Sequence, residues 1–182
     1  MSSRQRSWPR QWLMTDERMG DRLWEAIDRL PVERSGIVFR HHSTEHGKRA
    51  QLARRIAEIA LQRKLMLAVA GSEHLARAVG ADLVHNPQQP PVALPFSRSV
   101  HSIKEAEAAK MQGATLVFVS PVYPTRSHPD RQALQPQLAA QIARAAGMPA
   151  IALGGMSEAT FERLKRDGFA GWAAIDAWLQ SA

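Results

Sequence analysis

Residues 117–125 read VFVSPVYPT, and residues 152–156 read ALGGM. Each stretch begins with apolar residues and ends in residues typical of a tight turn, two prolines in the first and two glycines in the second. A short apolar run bounded by turn residues is typical of a strand that is buried on both faces, as in a parallel sheet. The two stretches therefore predict parallel strands whose carboxyl ends lead into tight turns.

The same pattern extends in both directions along the chain. We predict eight strands, at Trp12–Thr15, Gly36–Arg40, Leu65–Ala70, Leu83–His85, Phe96–Val100, Thr115–Ser120, Ala150–Gly154 and Gly171–Ile175. Amphipathic periodicity predicts helices at Asp21–Leu30, Gly47–Lys64, Ser72–Val79, Ile103–Gln112, Leu134–Ala146 and Glu158–Arg166, with a poorer connection at Pro87–Pro95. Repeated strand–helix alternation favours a closed (β/α)8 TIM barrel over an open sheet. We expect one domain, with a basic tail at residues 1–10 and the barrel at residues 11–182.

Composition narrows the classes of function. The chain has no cysteine, which excludes disulfides, thiolate catalysis and cysteine-ligated metal sites. No stretch reaches the roughly 20 apolar residues that span a bilayer, and the opening residues lack a signal-peptide core, so we expect a cytoplasmic protein that does not bind membranes. The formal charge of +7 is compatible with nucleic acid, an acidic surface or a phosphorylated small substrate.

The two stretches resemble the turns of thiamine-phosphate synthases, which read Gly-Pro-Val-Phe-Pro-Thr and Ala-Ile-Gly-Gly-Ile. Residues 98–102 (RSVHS) resemble the family's Ser-x-His segment, and residues 167–175 (DGFAGWAAI) resemble its final strand. Weaker similarity lies at residues 14–16 (MTD) and 81–85 (ADLVH). The resemblance runs through nearly the whole chain and also implies a TIM barrel.

The resemblance implies a transferase of thiamine biosynthesis that joins an aminopyrimidine diphosphate to a thiazole phosphate. Pyrophosphate leaves with the assistance of Mg²⁺, and cations with hydroxyl donors must absorb the developing negative charge. The expected partner is thus a phosphorylated small heterocycle. Two alternatives stay open. The first is an enzyme like the thiazole tautomerases, which have similar RSVHS and Gly-Gly-Met motifs. The second is a barrel that binds a phosphate ligand without catalysis.

The resemblance also implies the site residues. Arg40 keeps the family's arginine, whereas His42 replaces a lysine and would hold phosphate only when protonated. The glycine pair would bring backbone N–H groups close to an anion, although a tight turn alone also explains it. The candidate catalytic residues are Arg40, His42, Ser99, His101 and Thr125. The candidate substrate- and phosphate-binding residues are Arg40, His85, Gln88, Ser99, Thr125, Arg126, His128, Gly154 and Gly155.

The metal site is where the chain departs most from the family. The positions of its two Mg²⁺-binding aspartates hold residues 70–71 (AG) and Pro90, so we assign no metal ligand and expect Mg²⁺ only from the resemblance. Asp16 and Asp130 are candidates to replace the lost carboxylates. Pro121 likewise occupies the position of the tautomerases' acid–base histidine, which His101, His85 or His128 would have to replace.

The sequence gives little support to a zinc site or to a nucleic-acid-binding surface. His42 and His46 would share a helical face at a spacing of four residues, as in some zinc sites, but histidines in a loop are more often solvated. Nucleic-acid binding requires clustered basic residues with stacking aromatic residues, whereas the basic residues here are spread over several predicted helices. The sequence leaves the oligomeric state open, a homo-oligomer included.

Overall fold

The computed structural model describes residues 8–125, 132–164 and 166–179. Eight parallel strands close into a barrel in chain order, and β8 pairs with β1. The strands are β1 (Gln11–Met14), β2 (Ser35–Phe39), β3 (Met66–Ala70), β4 (Leu83–His85), β5 (Phe96–Val100), β6 (Leu116–Val119), β7 (Ala150–Leu153) and β8 (Gly171–Ala174). The helices are α1 (Arg22–Asp28), α2 (His46–Gln62), α3 (Glu73–Ala78), α4 (Ile103–Met111), α5 (Pro136–Ala146) and α6 (Glu158–Leu164). The predicted TIM barrel is confirmed.

Two segments that follow strands, one after β4 and one after β8, differ from the regular strand–helix pattern. The segment between β4 and β5, predicted to be poor, contains no helix among residues 86–95. Four of these residues are prolines, which lack the N–H group that a helix requires. Its backbone is tied down instead by Glu73, whose carboxylate accepts hydrogen bonds from the N–H groups of Val92 (3.1 Å) and Ala93 (2.7 Å). After β8, a short 3-10 helix spans Asp176–Trp178.

Apolar side chains fill the inside of the barrel. Alternate strand residues point inward and form a buried cluster of Trp12, Met14, Val38, Ala68, Leu83, Leu116, Phe118, Ile151 and Ala173. Trp12 and Phe118 meet edge to face at 5.6 Å. A Cβ on Gly36 would lie 2.4 Å from the Trp12 ring, so β2 needs glycine at this point. Because the interior is packed, the barrel leaves room for a ligand only at its ends.

Two residues that precede β1 are hydrogen-bonded to the barrel. The carbonyl oxygen of Arg10 accepts a hydrogen bond from Trp172 N–H at 2.8 Å, and that of Pro9 accepts one from Trp12 Nε1 at 2.8 Å. Pro9 and Arg10 therefore pack with the barrel strands. Residues 1–7 lie outside the described residues. None of the described helices combines the length and apolar character needed to cross a membrane.

Candidate active site

A cavity of about 620 Å³ opens at the carboxyl ends of the strands. This is the end at which TIM barrels place their sites, and the volume is within the usual range for small-molecule pockets, about 300–1,000 Å³. The cavity brings together most of the residues that the sequence singled out. Those that line it are Arg40, His42, His85, Ser99, His101, Thr125, Gly154 and Gly155.

Arg40 follows β2, and the protein holds its side chain firmly. Its Nε donates to the Thr15 carbonyl oxygen at 2.8 Å, and its Nη2 donates to Asp16 Oδ2 at 3.1 Å. The side chain is 21% exposed, so it is not a freely solvated residue at a strand end. Burial lowers the pKa of Arg40 below its ordinary value, although a guanidinium remains charged at neutral pH. A fixed cation at the cavity wall suits an anionic ligand.

Asp16 is fully engaged by two arginines. Its Oδ1 accepts from Arg18 Nε at 2.7 Å, and its Oδ2 accepts from Arg18 Nη2 at 2.9 Å as well as from Arg40. The hydrogen bonds from Arg18 lower the pKa of Asp16 to about 2. Its carboxylate is therefore ionised at neutral pH, and both of its oxygens already accept hydrogen bonds from arginine side chains. The structure gives no support to Asp16 as a replacement metal ligand.

The two neighbouring histidines differ in orientation. His42 lines the cavity, and burial lowers its pKa below the ordinary value. It is therefore neutral at pH 7 and contributes no positive charge to a phosphate site there. His41 lies buried outside the cavity lining, where it stacks on Phe39 at 4.9 Å and hydrogen-bonds the Thr15 hydroxyl at 3.0 Å.

His85 ends β4 inside a neutral network. It is 2% exposed, and its Nδ1 lies 2.9 Å from the Ser97 hydroxyl on β5. Burial, followed by the nearby charge of Arg40, lowers the pKa of His85 to about 3. A histidine that is neutral throughout the physiological range is a structural hydrogen-bonding group and a poor base. His85 therefore holds the wall of the cavity instead of binding phosphate by charge.

Asn86 is a cavity residue that the sequence did not single out. Its Nδ2 donates to Ser99 Oγ at 3.0 Å, and its Oδ1 accepts from Ser99 N–H at 2.7 Å. The pair joins the carboxyl ends of β4 and β5 at the surface of the cavity. The available signal was a polar residue directly after a buried strand.

His101 has a fixed ring orientation. Its Nδ1 lies 2.6 Å from the carbonyl oxygen of Ser120, which can only accept a hydrogen bond. Nδ1 therefore carries a proton, and Nε2 is left with a lone pair in the neutral ring. Because His101 lines the cavity, this arrangement can accept a proton from a bound ligand.

Packing against a neighbouring loop requires the glycine pair after β7, whether or not a ligand binds there. Gly154 and Gly155 have φ values of 94° and 62°, which disfavour other residues. A Cβ at either position would lie 2.7 Å from atoms of the loop after β6, at Pro121 and at Tyr123 and Pro124. The turn is therefore a close contact between two loops at the mouth of the cavity.

One predicted residue does not line the cavity, and two others lie outside the part of the chain that the structure describes. Gln88 is exposed in the loop after β4 and does not line the cavity, where Asn86 from the same loop lies instead. Arg126 and His128 lie outside the described residues. The alternative pairing of His42 with His46 also fails, because α2 begins at His46 and His42 precedes it in a turn.

Comparison with known proteins identifies the family. A profile described as thiamine monophosphate synthase matches residues 13–178. The chain belongs to this family. It is 27% identical over 186 residues to "Putative thiamine-phosphate synthase 2" of Aquifex aeolicus, covering 94% of this chain and 98% of the relative. It is also 27% identical over 186 residues to a thiamine-phosphate synthase of Synechococcus, covering 93% of this chain but 52% of that longer protein. The solved thiamine phosphate pyrophosphorylase of Pyrococcus furiosus has a TM-score of 0.83 at 22% identity, over 97% of this chain and 90% of that one, and supports the fold.

This member of the thiamine monophosphate synthase family does not fit the Mg²⁺ site that the resemblance implies. Ala70 ends β3, Gly71 follows it and Pro90 lies in the β4–β5 loop, so neither position offers an oxygen-bearing side chain. Asp176 is the one carboxylate among the described residues that line the cavity. Within the described ranges no group of three histidine, aspartate or glutamate side chains is arranged to hold a metal. A hard divalent cation prefers several such oxygen ligands.

Proposed function

We propose that this chain joins an aminopyrimidine diphosphate to a thiazole phosphate and releases pyrophosphate, without a carboxylate-held metal of its own. The observation that carries the proposal is the placement of a held cation, Arg40, and a hydroxyl donor, Ser99, on one cavity. Ser99 Oγ lies 3.3 Å from His85 Nε2, and His85 lines the same cavity as Arg40. A diphosphate needs a cation and hydrogen-bond donors of this kind, set close together.

The demanding step is departure of pyrophosphate. The bond from the pyrimidine methylene carbon to the diphosphate oxygen breaks, its electron pair leaves with pyrophosphate, and a new bond forms to the thiazole nitrogen. Arg40 and Ser99 would stabilise the charge that accumulates on the leaving oxygens. Thr125 and the Gly154–Gly155 turn line the same cavity and would bind the second substrate's phosphate.

The test is thiamine-phosphate formation by the purified chain, supplied with both substrates and assayed by chromatography. A synthase that retains the family's aspartates serves as control, and each protein is assayed with Mg²⁺ and with EDTA. We expect product from this chain, and a smaller dependence on Mg²⁺ than in the control. Absence of product while the control is active would refute the proposal.

A thiazole tautomerase-like reaction is the second candidate, and the orientation of His101 favours it. A tautomerase moves a proton, and the unprotonated Nε2 of His101 can accept one at the cavity. If this function is correct, His101→Gln should abolish isomerisation of a thiazole substrate while the binding of pyrophosphate is retained. Turnover of the thiazole alone, without coupling to the pyrimidine, would favour this candidate over the synthase.

A further inference from the structure

Asn86 has an unusual backbone conformation for a residue at the cavity wall. Its φ is 45°, in the left-handed region that asparagine tolerates better than most residues other than glycine. The conformation turns the chain sharply after β4, and the side chain lies against β5 instead of continuing along the strand. Asparagine thus satisfies two requirements here: the turn, and an amide group facing Ser99.

The hydrogen bonds fix which way the amide points. The backbone N–H of Ser99 can only donate, so the atom 2.7 Å from it must be the amide oxygen, Oδ1. The amide nitrogen, Nδ2, is then the group 3.0 Å from Ser99 Oγ, and it can only donate. Asn86 therefore occupies one acceptor site of the Ser99 hydroxyl.

The rest of the Ser99 hydroxyl faces His85 and the cavity. Its oxygen lies 3.3 Å from His85 Nε2. If Nε2 carries the ring proton, it occupies the second acceptor site of Ser99; if it does not, a neutral imidazole at this distance competes weakly with an anionic oxygen for the hydroxyl hydrogen. Asn86 Nδ2, which can only donate, also lies 3.3 Å from His85 Nε2 and favours the tautomer in which Nε2 is unprotonated. In both tautomers Ser99 keeps one hydrogen that it can donate to an anionic oxygen, and Asn86 fills one of its acceptor sites.

We propose that Asn86 is a positioning residue that orients the Ser99 hydroxyl so that it donates its hydrogen bond to a pyrophosphate oxygen. The inference rests on the proposed function for the identity of that anion. It predicts that the ligand atom bound at Ser99 is an anionic acceptor.

The experiment measures pyrophosphate affinity by titration calorimetry. Asn86→Gly removes the amide and tolerates the left-handed backbone, and Asn86→Asp keeps the shape and the Oδ1 acceptor but removes the donor. Gln89→Gly, at an exposed position in the same loop outside the cavity, controls for added loop flexibility. Each change is also made in a Ser99→Ala background, and thermal unfolding checks that every variant is folded.

We expect Asn86→Gly to weaken pyrophosphate binding roughly 5-fold and Asn86→Asp more than roughly 10-fold, with Gln89→Gly within about 2-fold of the wild type. In the Ser99→Ala background, Asn86→Gly should add less than about 2-fold, because the group it positions is gone. If Asn86→Gly does not fold, Asn86→Asp carries the test.

Unchanged affinity in the Asn86 variants, a full effect that persists without the Ser99 hydroxyl, or no pyrophosphate binding by the wild type would each overturn the inference. Product formation is assayed on the same samples. Normal binding with the expected coupling but no thiamine phosphate would refute the proposed function alone.

Discussion

Two edges of the cavity are built from different chemistry. At the β1–β2 edge, Arg40, Asp16 and Arg18 form a charged chain joined by distances of 2.7–3.1 Å. At the β4–β5 edge, His85, Asn86 and Ser99 form a neutral network with Ser97, joined by distances of 2.7–3.3 Å. Both edges present groups suited to an anion, the first through charge and the second through directed hydrogen bonds.

The difference shows how one site can divide attraction from orientation. A fixed guanidinium attracts any phosphate, and the strength of this attraction depends on ionic strength. A hydroxyl held in one orientation donates its single hydrogen to one oxygen and so selects the position of that oxygen. The charged edge should therefore dominate affinity. The neutral edge should determine geometry, and its effect should be insensitive to salt.

The largest expected effect is at the charged edge. Arg40→Ala should weaken pyrophosphate binding roughly 10- to 100-fold, because a charge-assisted hydrogen bond contributes about 1.5–3 kcal/mol. Titration calorimetry measures it, with Arg54→Ala as the matched control, since Arg54 is an exposed arginine on α2 that does not line this cavity. Equal affinities for the wild type and Arg40→Ala would remove Arg40 from the site.

Salt sharpens the comparison between the edges. Raising the salt concentration from about 50 mM to about 500 mM shortens the screening length severalfold. The affinity ratio of wild type to Arg40→Ala should therefore shrink by about 3-fold or more, while the ratio of wild type to Ser99→Ala stays constant. The same salt dependence of the affinity ratio for both variants would contradict the assignment of charge attraction to one edge and directed hydrogen bonding to the other.

A smaller effect concerns His42 and pH. Because burial lowers its pKa below the ordinary value of 6.5, His42 should be neutral at pH 7.5 and charged only in more acidic solution. Pyrophosphate affinities of wild type and His42→Gln should agree within about 2-fold at pH 7.5, and wild type should gain affinity relative to the variant as the pH is lowered below 6.5. The comparison cancels protonation of the ligand. A difference independent of pH would contradict a charge-dependent role.

The smallest effect is on stability. The pKa of Asp16 is about 2 in the folded protein against 3.8 ordinarily, so its ionised form stabilises the fold above pH 4, and this contribution is lost as the pH falls to 2. Asp16→Asn should lower the free energy of unfolding by roughly 1 kcal/mol at pH 6, because solvent screens the 63% exposed Arg18.

Urea unfolding at pH 6 and at pH 2 measures the difference, which should be much smaller at the lower pH, where Asp16 is partly protonated in the folded protein. Asp21→Asn is the matched control, since the exposed Asp21 makes no capping hydrogen bond with its side chain. An Asp16→Asn protein as stable as wild type at pH 6 would mean that the arginine contacts add nothing to the fold.

The fold could be predicted from the sequence because most strands are buried on both faces and appear as apolar runs, although β5 carries polar residues. The irregular β4–β5 connection was also visible, through its prolines. Residue type and position at strand ends, together with the family resemblance, placed Arg40, Ser99 and His101 at the cavity.

The network around Asn86 could not be predicted in the same way. It depends on the pairing of His85 with Ser97 across β4 and β5 and on the positive φ of Asn86, neither of which a single sequence specifies. The pairing of Asp16 with both Arg18 and Arg40 likewise depends on the closure of β1 against β2. Gln88 was predicted at the cavity but lies exposed in the irregular β4–β5 loop, whose path a single sequence does not specify.

The most direct test is a crystal structure of the chain grown with thiamine phosphate and pyrophosphate. The diphosphate should lie in the cavity at the carboxyl ends of the strands, with oxygens within about 3.2 Å of the Arg40 guanidinium and of Ser99 Oγ. A diphosphate bound elsewhere, or a cavity that holds the heterocycle with its phosphates directed away from both residues, would contradict the assignment of these two edges.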